Sequence, residues 1–131
     1  MPKKGEIFWE MGKSLLKDSW QKGEFVSSPE FSITDICSIV VQFYPAGDRS
    51  CEKPLFIYVR TNTHGAVRIS GNVQLCHDFR ITKEYRSDVH FKDSQSSTRH
   101  CLKDIASIAR LKIFHSLPDL CYRFVYEIKD A

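Results

Sequence analysis

The dipeptides Cys76-His77 and His100-Cys101 are the residues of this chain best equipped for chemistry, because together they hold two thiols and two imidazoles. A tetrahedral zinc site needs such a set of four. The spacing argues against one. Neighbouring residues on a strand point to opposite faces, so each dipeptide offers one ligand, and neither C-x2-4-C nor H-x3-5-H spacing is present. Cys101 and His77 could be drawn as nucleophile and base, but a reactive thiol needs a lowered pKa in a cleft, for which the sequence carries no signal. His64, His90 and His115 fall in turns or at alternate positions and read as solvated side chains. Asp18, Glu24, Glu30, Asp35 and Asp48 precede or sit in loops, without the pairing of an acid–base couple or the clustering of a calcium site. There is no G-x-x-x-x-G-K-[ST], G-x-G-x-x-G or G-x-S-x-G, which excludes a phosphate-cradling loop and a serine elbow of the known types. These residues predict a non-enzymatic protein with no metal and no other cofactor.

The elements that would position them are mainly strands. Ile39, Val41 and Phe43 alternate with Val40, Gln42 and Tyr44. Beyond a loop from Pro45 to Pro54, Leu55, Ile57 and Val59 alternate with Phe56, Tyr58 and Arg60. This period of two is the mark of a strand. Val67, Ile69, Val73 and Leu75 then face one way, and Arg68, Ser70, Asn72 and Gln74 the other. Gly71 interrupts the apolar side, which predicts a bulge or a close backbone approach. The clearest pattern comes last, with Leu120, Tyr122, Phe124, Tyr126 and Ile128 on one face of a half-buried antiparallel strand. Shorter strands are expected at Gly5–Trp9, Glu24–Val26, Phe31–Ile33, Phe79–Thr82 and Val89–Phe91. Helical spacing occurs once, in Leu102, Ile105, Ile108 and Ala109, and predicts a short amphipathic helix over Cys101–Arg110. The segment before it, Asp93–His100, reads as a polar loop. Seven to eight short strands, one helix and no βαβ alternation predict an all-β antiparallel sandwich.

The totals fit that architecture. The chain has 131 residues, 42% of them hydrophobic, which suits one folded domain over residues 1–131. Nineteen basic residues against sixteen acidic ones are dispersed and give no nucleic-acid footprint. No apolar run reaches the roughly 18 residues of a membrane helix, and Lys3-Lys4 precede no signal-peptide core. Cys37, Cys51, Cys76, Cys101 and Cys121 are odd in number and irregular in spacing, which predicts reduced thiols in a cytoplasmic or nuclear setting.

In their order, these segments resemble a MATH (meprin and TRAF homology) domain, a TRAF-like sandwich. "FWEMGKSLL" resembles its first strand, and "GEFVSSPEFSI" the stretch in which S-x-x-F leads to the next. "IVVQFYPAG" is similar to its W-x-L-x-V-x-P-x-G strand and turn, "PLFIYVRT" to its L-S-L-Y-L strand, and "VRISGNVQL" to the strand after that. "VHF", a polar loop and "CLKDIASIARL" resemble the late segment, and "LPDLCYRFVYEI" the closing strand. The likeness covers about residues 5–129. It implies a protein-interaction module that binds an extended peptide or partner strand, as in adaptors that select substrates for a ubiquitin-related complex. The alternative is a scaffold sandwich with no peptide groove. Carried over position by position, the groove comprises Tyr58, Ile69 (or Gly71), Val89, Phe91, Arg99 and Cys101. Of these, Tyr58 alone keeps the family's residue type. Val89 stands for a tyrosine, and Arg99 and Cys101 for a tryptophan and a phenylalanine. The absence of a coiled coil implies a monomer or weak dimer.

Overall fold

The computed structural model describes residues 4–11, 20–50, 52, 55–62, 65–77, 80–91, 97–101 and 121–129. Among them the chain forms nine strands and no helix: β1 (Lys4–Glu10), β2 (Val26–Ser27), β3 (Phe31–Thr34), β4 (Cys37–Tyr44), β5 (Leu55–Arg60), β6 (Val67–His77), β7 (Arg80–Phe91), β8 (Ser97–Cys101) and β9 (Cys121–Lys129). All pairings are antiparallel. One sheet runs β1-β9-β6-β7, and the other β2-β4-β5-β8 with β3 also paired to β4. The all-β class and antiparallel pairing are as expected, in a two-sheet, sandwich-like arrangement.

The hairpin read from the alternation around Pro45 is the middle of the second sheet, where Val41 pairs with Tyr58 and Phe43 with Phe56. Its exit is a tight turn. The Gly47 amide donates to the Tyr44 carbonyl at 3.1 Å, Pro45 supplies the preset φ at the second position, and Gly47 takes a φ of +78° that disfavours residues with a Cβ. The Gly47 carbonyl then accepts from Gly23, which ties the approach to β2 onto this turn. Past β2 the Ser28 hydroxyl continues the pairing, accepting from the Val41 amide at 2.8 Å.

The two sheets meet through their apolar faces. Ile7 and Trp9 of β1, Tyr122, Phe124 and Tyr126 of β9, Ile69, Val73 and Leu75 of β6, and Val89 and Phe91 of β7 form one cluster with Ile39, Val41, Phe43, Phe56 and Tyr58 of the other sheet. Rings interlock across the gap, with Phe56 and Tyr122 centroids 4.7 Å apart and Tyr58 and Phe124 6.1 Å apart. Gly71 of β6 follows from the same packing of strands. A Cβ there would land on the Val125 carbonyl of β9, so the expected close approach is the reason for the glycine, while the bulge in the β6–β7 pairing falls later, in β7, where Leu75 faces Lys83 and Cys76 faces Ile81. At one end Arg60, although 4% exposed, donates to the carbonyls of Gly65 at 2.6 Å and Ile36 at 2.8 Å, clamping two loops together.

Several expectations are corrected. The strands expected at Phe79–Thr82 and Val89–Phe91 are one strand from Arg80 to Phe91, β7, with Phe79 outside the described residues. Its middle hides the alternation because the inward residues Tyr85 and Ser87 bear hydroxyls. The polar loop of Asp93–His100 includes a strand, since Ser97 to His100 pair with β5 from Val59 to Phe56. The helix expected over Cys101–Arg110 starts at a residue that ends β8, and its remainder lies outside the described residues.

Candidate functional site

Four of the residues assigned to a groove by resemblance are core. Tyr58, Val89 and Phe91 are fully buried and Ile69 nearly so, all within the cluster between the sheets. The reason is their parity: each lies on the inward side of its strand, where a peptide on the surface cannot touch it. The Tyr58 hydroxyl does not reach solvent. It meets that of Tyr122 and bonds the Ser87 side chain. Burial pushes the Tyr58 phenol up to about 12, against the opposing effect of those two hydrogen bonds. Tyr122 is raised as well, first by burial and then by its hydroxyl neighbours. The Tyr85 hydroxyl is buried close by, with no hydrogen-bond partner among the described residues. Arg99 and Cys101 sit on β8, opposite Ile57 and Leu55 of β5. The backbone thus unites Tyr58, Arg99 and Cys101 on neighbouring strands of one sheet and places Ile69, Val89 and Phe91 on the other.

The candidate metal ligands are likewise divided. Cys76 and His77 end β6 in the first sheet, and His100 and Cys101 end β8 in the second. Among the described residues no three His, Cys, Asp or Glu side chains gather as a metal would require. No helix among them is long and apolar enough to cross a membrane.

Among the described residues, charged and polar side chains gather on the outward face of β6, β7 and β9. Ser70 lies between Asp88 and Glu127, Arg68 between His90 and Lys129, and Asn72 between Arg86 and Val125. Arg68 grips Asp88 with two bonds, Nε to Oδ1 at 3.1 Å and Nη2 to Oδ2 at 2.7 Å. That grip holds the Asp88 carboxyl below its usual range, with the charges of Arg86 and His90 acting in the same direction. Lys129 leans on Glu127 at 3.4 Å. Arg68, Ser70, Arg86, Asp88 and Lys129 line a shallow depression of about 350 Å³ in which cations outnumber carboxylates. The alternation already places Arg68 and Ser70 outward, but it holds no sign that Asp88 and Lys129 would join them.

This depression borders β7, which at twelve residues is the longest strand among the described residues and stands at one end of its sheet's strand order. Among the described residues no strand is hydrogen-bonded to its outer side. No known family model matches the chain, and no curated protein is significantly similar to it.

Proposed function

We propose that this protein is a non-enzymatic interaction module that takes an extended partner segment along the outer edge of β7. The observation that carries the reading is the edge itself: twelve residues of strand flanked by a charged outer face. An edge to which no described strand is paired offers a row of backbone donors and acceptors, which is the basis of binding by strand addition. Its side chains then select the guest. Arg86 and Asp88 project on the outer face two positions apart, so the matching strand carries an acid opposite Arg86 and a base opposite Asp88. Each such cross-strand pair contributes roughly 0.2–1 kcal/mol, enough for selectivity, with affinity coming from the backbone. The same charges discourage pairing with indiscriminate apolar strands.

The MATH-like, TRAF-like assignment and the link to substrate selection in a ubiquitin-related complex belong to this proposal through the family resemblance alone. The contact surface differs from the resemblance in one respect: it uses the β7 edge and outer face in place of pockets at Tyr58, Ile69, Val89 and Phe91. The second reading, a scaffold sandwich with no peptide groove, draws support from the burial of those four residues.

A displayed library of random extended peptides, panned on the whole chain, tests the choice. The expected selection is rich in acid–base alternation, perturbs amide resonances of residues 84–91, and loses about tenfold in affinity for Arg86→Glu. Selected peptides that perturb β1 or β8 instead would move the site, and an empty selection would favour the scaffold.

A further inference from the structure

We propose that Cys76 and Cys121 constitute a reversible disulfide site on the outer face of the β1-β9-β6-β7 sheet. The two are direct register partners on the neighbouring strands β6 and β9. Opposed residues of an antiparallel pair have Cα atoms about 4.5 Å or about 5.5 Å apart, according to whether they exchange hydrogen bonds. Both spacings lie within the roughly 4.4–6.8 Å that a disulfide spans. Directly opposed residues also point to the same face, so the two Cβ atoms project together.

Their surroundings set them apart from a structural cysteine. Both are half-buried thiols, whereas Cys37 is fully enclosed in the core. Cys76 has the parity of Arg68, Ser70 and Gln74, which puts it on the outer face, where burial raises its thiol pKa, with Arg123 lowering it and Glu84 raising it. The bulge opposite Leu75 and Cys76 lies in β7, and the register of β6 with β9 stays continuous through Cys76.

The chemistry is thiol–disulfide exchange with a small disulfide such as oxidised glutathione. One protein thiol gives its proton to solvent, and the thiolate attacks the small disulfide, breaking its S–S bond and releasing one glutathione thiolate, which takes up a proton. The second protein thiolate attacks the protein sulfur of the mixed disulfide and expels the other glutathione. Two protein thiols are oxidised and one disulfide is reduced to two thiols. Opposition across the ladder makes the second step intramolecular and fast relative to capture of another glutathione. The product closes the chain from position 76 to position 121 and staples β6 to β9.

The test uses the reduced full chain, oxidised glutathione at about pH 8, trapping of remaining thiols by alkylation, and peptide mapping by mass spectrometry. The expected map shows the Cys76 peptide linked to the Cys121 peptide, reversed by dithiothreitol. The oxidised chain should melt on the order of 10 °C above the reduced one. In Cys121→Ser the mixed disulfide on Cys76 should persist, because the resolving thiol is gone. Separate glutathione adducts on both cysteines of the unaltered chain, links to Cys37, Cys51 or Cys101 in their place, or two thiols that remain alkylatable would each overturn the site. The mapping of the unaltered chain decides this even if the serine variant fails to fold.

Discussion

The inner and outer faces of the β1-β9-β6-β7 sheet are built from alternate residues of the same strands, yet they answer to different physics. Inside, Ile7, Trp9, Ile69, Val73, Val89, Phe91, Tyr122 and Phe124 bury hydrocarbon against the second sheet. Outside, Arg123 meets Glu6 at 2.6 Å and Arg68 meets Asp88, with all four side chains more than two-fifths exposed. Burial of a large apolar side chain contributes about 1.5–3 kcal/mol, whereas an exposed ion pair contributes about 0–1 kcal/mol. The inner face therefore decides whether the chain folds, and the outer face adds little to that decision. Four of the six positions taken from the family resemblance are inner residues, so what they register is packing.

The sharpest way to break this contrast uses adjacent residues. Phe124→Ala, on the inner face of β9, should cost about 3–5 kcal/mol in chemical denaturation. Val125→Ala, one position along and 40% exposed, should stay within about 0.5 kcal/mol. Similar losses at both positions would mean that the outer face is covered by something that acts as core.

The hydroxyl layer gives the next largest effect. Tyr58 keeps its proton up to about 12 in the folded chain, whereas an unfolded tyrosine releases it near 10. Its contribution to stability is thus fully present below about pH 10 and is lost as pH rises toward 12, because there the unfolded state is the one that sheds the proton. Denaturation midpoints measured across that window should fall for the unaltered chain and fall less steeply for Tyr58→Phe. Equal slopes would place the Tyr58 hydroxyl in water.

The smallest effect belongs to the outer ladder. Arg68→Ala should move the denaturation midpoint only slightly, and most of that difference should vanish in 1 M salt. Asp88, depressed by Arg68, contributes above the ordinary carboxylate pKa near 3.9, and the contribution is lost as pH falls through its lowered folded value. A larger loss that persists in salt would make this pair part of the fold.

Much of the fold was legible because β4, β6 and β9 keep a clear alternation, with mostly hydrocarbon or aromatic residues on the inward side. Legibility failed where that link breaks. In β7 the inward Tyr85 and Ser87 carry hydroxyls, so polarity no longer marks the face. In β8 the residues Ser97, Thr98, Arg99 and His100 have no apolar partner in sequence, and only pairing with β5 makes them a strand. On β5 the outward Leu55 and Ile57 are as buried as the inward side, so alternation could not say which face Tyr58 joins. The outer site depends on which strands become neighbours. Nothing local in Arg68, Asp88, Cys76 or Cys121 reveals that β6 will lie between β7 and β9.

The strand order also sets a schedule for synthesis. β1 has β9 as its partner, and β9 stands between β1 and β6. As the chain leaves the ribosome, β4 and β5 can pair early, but Ile7 and Trp9 must wait for Tyr122 and Phe124 before their side of the core closes. Joining segments so distant in sequence is slow, on the order of milliseconds to seconds for all-β domains. A nascent chain halted before residue 121 would hold one sheet in hand and two exposed edges, β1 and β6, a form suited to chaperone capture until the last strand arrives.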